Sequence, residues 1–88
     1  LLVGFAAETN RIKENARLKL RKKNLDFIVS NDISVEGVGF DSDYNEAFIL
    51  FPDGKEIKTG KRIKSEISRM IMDVVEDRIG EKSRKNSF

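Results

Sequence analysis

Five cations, Arg17, Lys19, Arg21, Lys22 and Lys23, fall within seven consecutive positions of a chain whose net charge is only +2. A local cluster of this kind attracts anions. Lys19, Lys22 and Lys23 stand at i, i+3 and i+4, so on a helix their ammonium groups share one face and can converge on one polyphosphate. Reactions at a phosphate group gather negative charge on its oxygens, and positioning with electrostatic stabilisation carries such chemistry. The same cluster also reads as a solvated helix face, or as the phosphate contact of a nucleic-acid-binding module. Against the nucleic-acid alternative, Phe27, Phe48 and Phe51 fall in predicted strands and do not interleave with the basic residues. A non-catalytic dimerisation domain is a third alternative.

Five other groups of residues have types suited to a nucleotide. Ala6-Ala7 end the first apolar run, where small side chains let a base or a backbone approach closely, or simply let the chain turn into a helix. Asn31-Asp32 follow a second apolar run, where they either hydrogen-bond a base or ribose or cap a local turn. Phe40 follows Gly39 in a loop and is read as a stacking partner for a base or as a buried anchor. Asp41 and Asp43 could support magnesium through water, since that ion prefers oxygen ligands and keeps several waters, or could be ordinary loop carboxylates. Lys61 and Lys64 precede the last helix, where they either reach a phosphate across a subunit interface or form a solvated helix start.

The elements that must position these residues follow from periodicity. Leu1 to Phe5 is a continuous apolar run, as expected of a strand buried on both faces of a mainly parallel sheet. Thr9 offers an N-cap, and Ile12, Ala16 and Leu20 mark one stripe of a helix over residues 10–23, with Asn24 as a left-handed terminator. Leu25, Phe27, Ile28 and Val29 predict a second strand, parallel to the first through a helical crossover. Asn31 and Asp32 then lie at a strand's carboxyl end, where open α/β sheets bind ligands. Glu46 to Phe51 and Glu56 to Lys58 flank Pro52-Asp53-Gly54, turn chemistry that predicts a β-hairpin. Its edge could pair with the same hairpin of a second subunit. Ile67, Met70, Ile71, Val74, Val75 and Ile79 predict a last helix over 62–79, stopped by Gly80 and followed by a solvated tail over 81–88. The expected fold is one α/β unit over 1–80, a strand-helix-strand parallel unit followed by a hairpin and a helix.

Composition narrows the chemistry. Cysteine and histidine are absent, which excludes disulfides, thiolate metal sites and imidazole-based triads. No apolar run approaches the roughly 20 residues that span a bilayer, so a cytoplasmic location without a membrane partner is expected. Eighty-eight residues, 39% hydrophobic and 36% charged, suit one small domain near the lower size limit for a single core. The apolar start at Leu1, without an initiator Met, reads as a piece of a longer polypeptide.

The strings Gly4-Phe5-Ala6-Ala7-Glu8-Thr9, Ala16-Arg17, Lys19-Leu20-Arg21-Lys22, Asn24-Leu25-Asp26, Asn31-Asp32 and Gly39-Phe40 with Ser42-Asp43 and Asn45 resemble, in order and spacing, the phosphopantothenoylcysteine synthetase family. This is the synthetase part of the DNA/pantothenate metabolism flavoprotein. The resemblance implies a ligase of coenzyme A biosynthesis that joins 4′-phosphopantothenate to cysteine through an acyl-nucleotidylate, with CTP or ATP as co-substrate and magnesium. It implies a Rossmann-like three-layer fold, a homodimer, and FMN only on a fused decarboxylase domain that would lie outside this chain. Lys19, Arg21 and Lys22 correspond to the family's lysine-rich Lys-x-Lys-Lys motif, with Arg21 in its third place, and are the candidate catalytic residues. Ala6, Ala7, Asn31, Asp32 and Phe40 are the candidate nucleotide-binding residues. Asn10-Arg11 departs from relatives that carry an acidic residue there. The family's glycine-rich loop would precede Leu1, leaving part of the site outside this chain, and the chain alone is expected to be inactive.

Overall fold

In the computed structural model the described residues are 1–39 and 41–85, the side chains of residues 84 and 85 excepted. Val3–Glu8 forms β1 and Phe27–Asp32 forms β2, paired in parallel from Val3 opposite Phe27 to Glu8 opposite Asp32. The crossover between them is helix α1, Ile12–Lys22. Thr9 does not cap it. The chain enters through Arg11 in the left-handed conformation (φ 45°) with no side-chain cap. Asn15 N–H donates to the Arg11 carbonyl at 3.0 Å, and Glu14 in the first turn complements the helix dipole. At the other end Asn24 is left-handed (φ 51°), as its type predicts. Leu25 N–H then closes back on the Leu20 carbonyl at 3.0 Å.

The hairpin also forms. Strand β4, Ala47–Leu50, pairs antiparallel with β2, and β5, Glu56–Lys58, pairs antiparallel with β4, giving the sheet order β1-β2-β4-β5. The turn closes with Phe51 N–H on the Lys55 carbonyl and Gly54, at φ 94°, donating to the Phe51 carbonyl. A second, unpredicted pairing joins β3, Tyr44–Asn45, to β6, Arg62–Ile63, as a short antiparallel ribbon. Two-residue strands carry no periodicity to read.

Helix α2, Lys64–Lys85, runs beyond Gly80, which does not terminate it, so residues 81–85 are helical and not a loose tail. A glycine in mid-helix costs about 1 kcal/mol. Ion pairs on either side of it, Arg78 with Glu81 at 3.1 Å and Lys82 with Asp26 at 3.1 Å, hold the extension.

Alternation along the strands divides the core between two faces. Ala6, Ile28 and Leu50 pack on Ala16 and Leu20 of α1, while Phe27, Val29, Ala47, Ile49 and Phe51 lie under Ile71, Val74 and Val75 of α2. The result is a three-layer α/β/α arrangement around a mixed sheet. Leu1 to Phe5 is not buried on both faces as expected: Phe5 is 67% exposed and Leu2 60%. The cause is position, since β1 is the sheet's edge strand and the α2 layer meets it only at Val3. Ile79, half exposed, likewise lies past the end of the α2 stripe.

Phe27 is fully buried, with its ring 5.8 Å from that of Phe51. Phe27→Ala is expected to lower stability by about 3–5 kcal/mol in urea unfolding. Ser30 is buried with no partner for its Oγ among the described residues, so Ser30→Ala is expected to leave stability unchanged or raise it by up to about 1 kcal/mol.

Candidate functional site

At the carboxyl ends of β1 and β2 the ladder sets Ala7 beside Asn31 and Glu8 beside Asp32. Neighbouring residues of a strand leave on opposite faces, so the two rows serve two different surfaces. On the α1 side, Glu8 faces the helix. Its Oε1 accepts a hydrogen bond from Lys19 Nζ at 2.9 Å, and its Oε2 accepts one from Asn15 Nδ2 at 3.3 Å. These residues, with Leu18, Lys22 and Lys23, line an open trough of about 690 Å³.

Lys19, Lys22 and Lys23 therefore share one flank of α1, as their spacing requires. Arg21 does not join them. At about 100° of rotation per residue, it falls on the other flank with Arg17, beside Leu25, Phe51 and Pro52. The expected convergence of Lys19, Arg21 and Lys22 is thus replaced by a lysine-only face. Arg17 and Lys13 are both ion-paired with Glu56 on β5, strapping α1 to the hairpin, and Lys13 Nζ also lies 5.1 Å from the Phe48 ring. Among the described residues Lys22 and Lys23 make no ion pair, so they are the cations of this trough left free for an external anion. Because the cluster is split between two flanks, it does not form the continuous basic stripe that tracks a nucleic-acid backbone.

On the opposite face a smaller pocket of about 150 Å³ is lined by Ala7, Asn31, Ile33, Gly39, Asn45 and Lys64. Lys64 Nζ donates to the Gly39 carbonyl at 2.8 Å, and Asn45 Nδ2 donates to Asn31 Oδ1 at 3.0 Å. Lys64 was expected either in solvent or across a subunit interface. Instead it closes this pocket from within the same chain, because the β3–β6 ribbon brings the start of α2 back to the sheet: Lys64 N–H donates to the Asp43 carbonyl at 2.9 Å. Lys61 Nζ sits 5.5 Å from the Tyr44 ring on that ribbon.

The remaining sequence candidates separate. Ala6 is buried under α1 against Ala16 and Leu20, where its small size lets helix and strand approach. Asp32 Oδ1 accepts from both the backbone N–H and the Oγ of Ser34, so its side chain supports the turn that follows β2. Phe40 lies outside the described residues. Asn45 and Glu8 were assigned no role from sequence. Asn45 was present in the matched strings, but only the fold shows that it reaches Asn31.

Glu8 is the one carboxylate at the trough. The hydrogen bond from Lys19 holds its pKa below the ordinary 4.5, outweighing the opposing effect of burial, with the Lys19 charge and the Asn15 amide adding to the lowering.

Residues 1–79 match the family described as DNA/pantothenate metabolism flavoprotein C-terminal domain. The chain is 40% identical over 84 residues to the coenzyme A biosynthesis bifunctional protein CoaBC of Escherichia coli K12, covering 96% of this chain and 20% of that protein. It is 46% identical over 72 residues to the protein of the same name from Bacillus subtilis strain 168, covering 82% of this chain and 18% of that one. The chain thus spans about a fifth of the length of these relatives. A solved crystal structure of the C-terminal domain of a CoaBC protein superimposes with a TM-score of 0.74 at 34% identity, over 92% of this chain and 36% of that one.

A carboxylate with a depressed pKa contributes stability that is present above its unfolded pKa and lost as pH falls through the lower folded value. The Glu8 contacts are therefore expected to persist at neutral pH and to be lost on acidification below the ordinary carboxylate range. Thermal unfolding of wild type and Glu8→Gln checks this: the two melting temperatures should differ at neutral pH and converge as pH falls below the ordinary carboxylate range.

Proposed function

Because this chain belongs to the DNA/pantothenate metabolism flavoprotein C-terminal domain family, we propose that it carries part of the nucleotide site of a ligase that joins 4′-phosphopantothenate to cysteine through an acyl-nucleotidylate. One observation carries this reading: the tip of β1 separates a lysine-lined trough from a pocket lined by Ala7 and Asn31, so one CTP can lie around it. The polyphosphate takes the trough and the base takes the pocket.

In this arrangement Lys22 and Lys23 meet the phosphates directly. Lys19, already held by Glu8, fixes the electrostatic background and turns towards the phosphates as they bind. Their task is to offset the charge that gathers when the substrate carboxylate attacks the α-phosphate and pyrophosphate leaves. Arg21, on the opposite flank, stands apart from that step. Magnesium would arrive with the nucleotide. It demands oxygen ligands and keeps several waters. Among the described residues no three His, Cys, Asp or Glu side chains gather to cage it, so the phosphate oxygens are the ligands that fit; Asp43, whose carbonyl accepts from Lys64 N–H, stands beside the pocket on the other face.

The ligase is cytoplasmic and homodimeric in this proposal. Strand β5 ends the sheet with an open edge, and pairing it with the same strand of a second copy covers that edge. FMN belongs to a separate decarboxylase domain, not to these residues.

Isothermal titration with CTP and magnesium tests the assignment in the longest natural polypeptide that carries this chain. Lys22→Ala is expected to weaken binding by about 10-fold or more, the scale of one charge-assisted hydrogen bond. Arg21→Ala should change it by no more than about twofold. Absence of CTP and ATP binding by the unmutated polypeptide, or equal losses in both variants, would contradict the proposal.

A further inference from the structure

A carboxylate inside a trough meant for phosphates works against its ligand, and Glu8 is fixed in that position. It is the last residue of β1, in register with Asp32, and its carbonyl accepts from Ile33 N–H at 3.0 Å. Asn15 and Lys19 stand four residues apart on α1, which puts both on the flank above it. Asn15 Nδ2 holds one carboxylate oxygen at 3.3 Å and also lies 3.4 Å from the Asn10 carbonyl, while Lys19 Nζ holds the other oxygen at 2.9 Å. The two ends of this ion pair differ in freedom. The Glu8 side chain is 16% exposed and that of Lys19 48%, so when the pair opens it is the lysine that swings out. The carboxylate stays in the trough wall, held by Asn15.

A polyphosphate in the trough meets this carboxylate through Lys19. An ammonium group has three donors. A phosphate that takes one of them while Glu8 keeps another sits beside a like charge, and a phosphate that takes Lys19 outright must first break the ion pair. Either way the trough binds more weakly than three unencumbered lysines would. We infer that Glu8 is an internal competitor for Lys19: it lowers the affinity of the trough for polyphosphates, and so lets pyrophosphate leave once the acyl-nucleotidylate has formed. Lys22 and Lys23, unpaired among the described residues, supply the attraction that Glu8 tempers. Glu8 acts through Lys19 and not on the reacting atoms, so it is a positioning residue. This deepens the proposed function and rests on its placement of the phosphates in the trough.

Titration of inorganic pyrophosphate with magnesium into the longest natural polypeptide that carries this chain reads the effect. Glu8→Gln is expected to tighten pyrophosphate binding by about fivefold or more, the scale of one partly exposed ion pair with the like-charge repulsion added. Damage to the fold would weaken binding instead, so the sign separates competition from a structural role. In a Lys19→Met background the same change should gain no more than about twofold, since only the bare charge is then removed. Glu8→Asp keeps the charge but draws the carboxylate back from Lys19 by one methylene, and should also tighten binding. It decides the matter if Glu8→Gln does not fold. Unchanged or weaker pyrophosphate binding in the folded Glu8 variants, or an equal gain with and without Lys19, would overturn the competition while leaving the ligase reading intact. A wild-type protein that binds none of CTP, ATP and pyrophosphate would overturn both.

Discussion

The parallel ladder between β1 and β2 sets Ala7 beside Asn31 and Glu8 beside Asp32, and the alternation of side chains then sends one pair to each face of the sheet. Every other part of the site depends on this register. A slip of one residue would move Glu8 away from α1, separating it from Lys19 and Asn15, and would bring a charged group into the pocket now walled by Ala7. The register is held from below by burial: Phe27 and Val29 on one face and Ile28 on the other each have less than 2% of their surface exposed. Gly4 helps in a smaller way, since a Cβ there would lie 2.5 Å from Leu25 Cδ1.

The cations are distributed by the same logic. Helix α1 lies across the sheet on its Ala16 and Leu20 stripe, so its two flanks look in opposite directions. On one flank Lys13 and Arg17 are tied to Glu56, and they stabilise the packing of helix on hairpin to a modest degree, as exposed pairs do. On the other, Glu8 holds Lys19 and leaves Lys22 and Lys23 unpaired among the described residues. A trough with one neutralised and two free ammonium groups suits a ligand of several negative charges.

Much of the fold was legible because its signals are local. The α2 stripe, the Pro52-Asp53-Gly54 turn and the left-handed Asn24 each follow from a few neighbouring residues. The site was legible in part. Spacing alone placed Lys19, Lys22 and Lys23 on one face, and the position of Asn31 at the end of a strand placed it at the wall of a pocket. What escaped was set by tertiary contacts: the exposure of Phe5 depends on which strand lies at the sheet's edge, and the reach of Lys64 and Asn45 to the pocket depends on a ribbon of two-residue strands. Gly80 misled for a related reason, since its local preference to end a helix is overridden by ion pairs at Arg78 and Lys82.

The central claim is that a single nucleotide bends around the end of β1, with its base on one face of the sheet and its phosphates on the other. A crystal structure of the protein with CTP and magnesium tests it most directly. The account predicts base density against Ala7 and Asn31, with phosphate oxygens within hydrogen-bond distance of Lys22 Nζ. Nucleotide density at the opposite end of the strands, in the hollow lined by Leu2, Asp26 and Arg78, would contradict it.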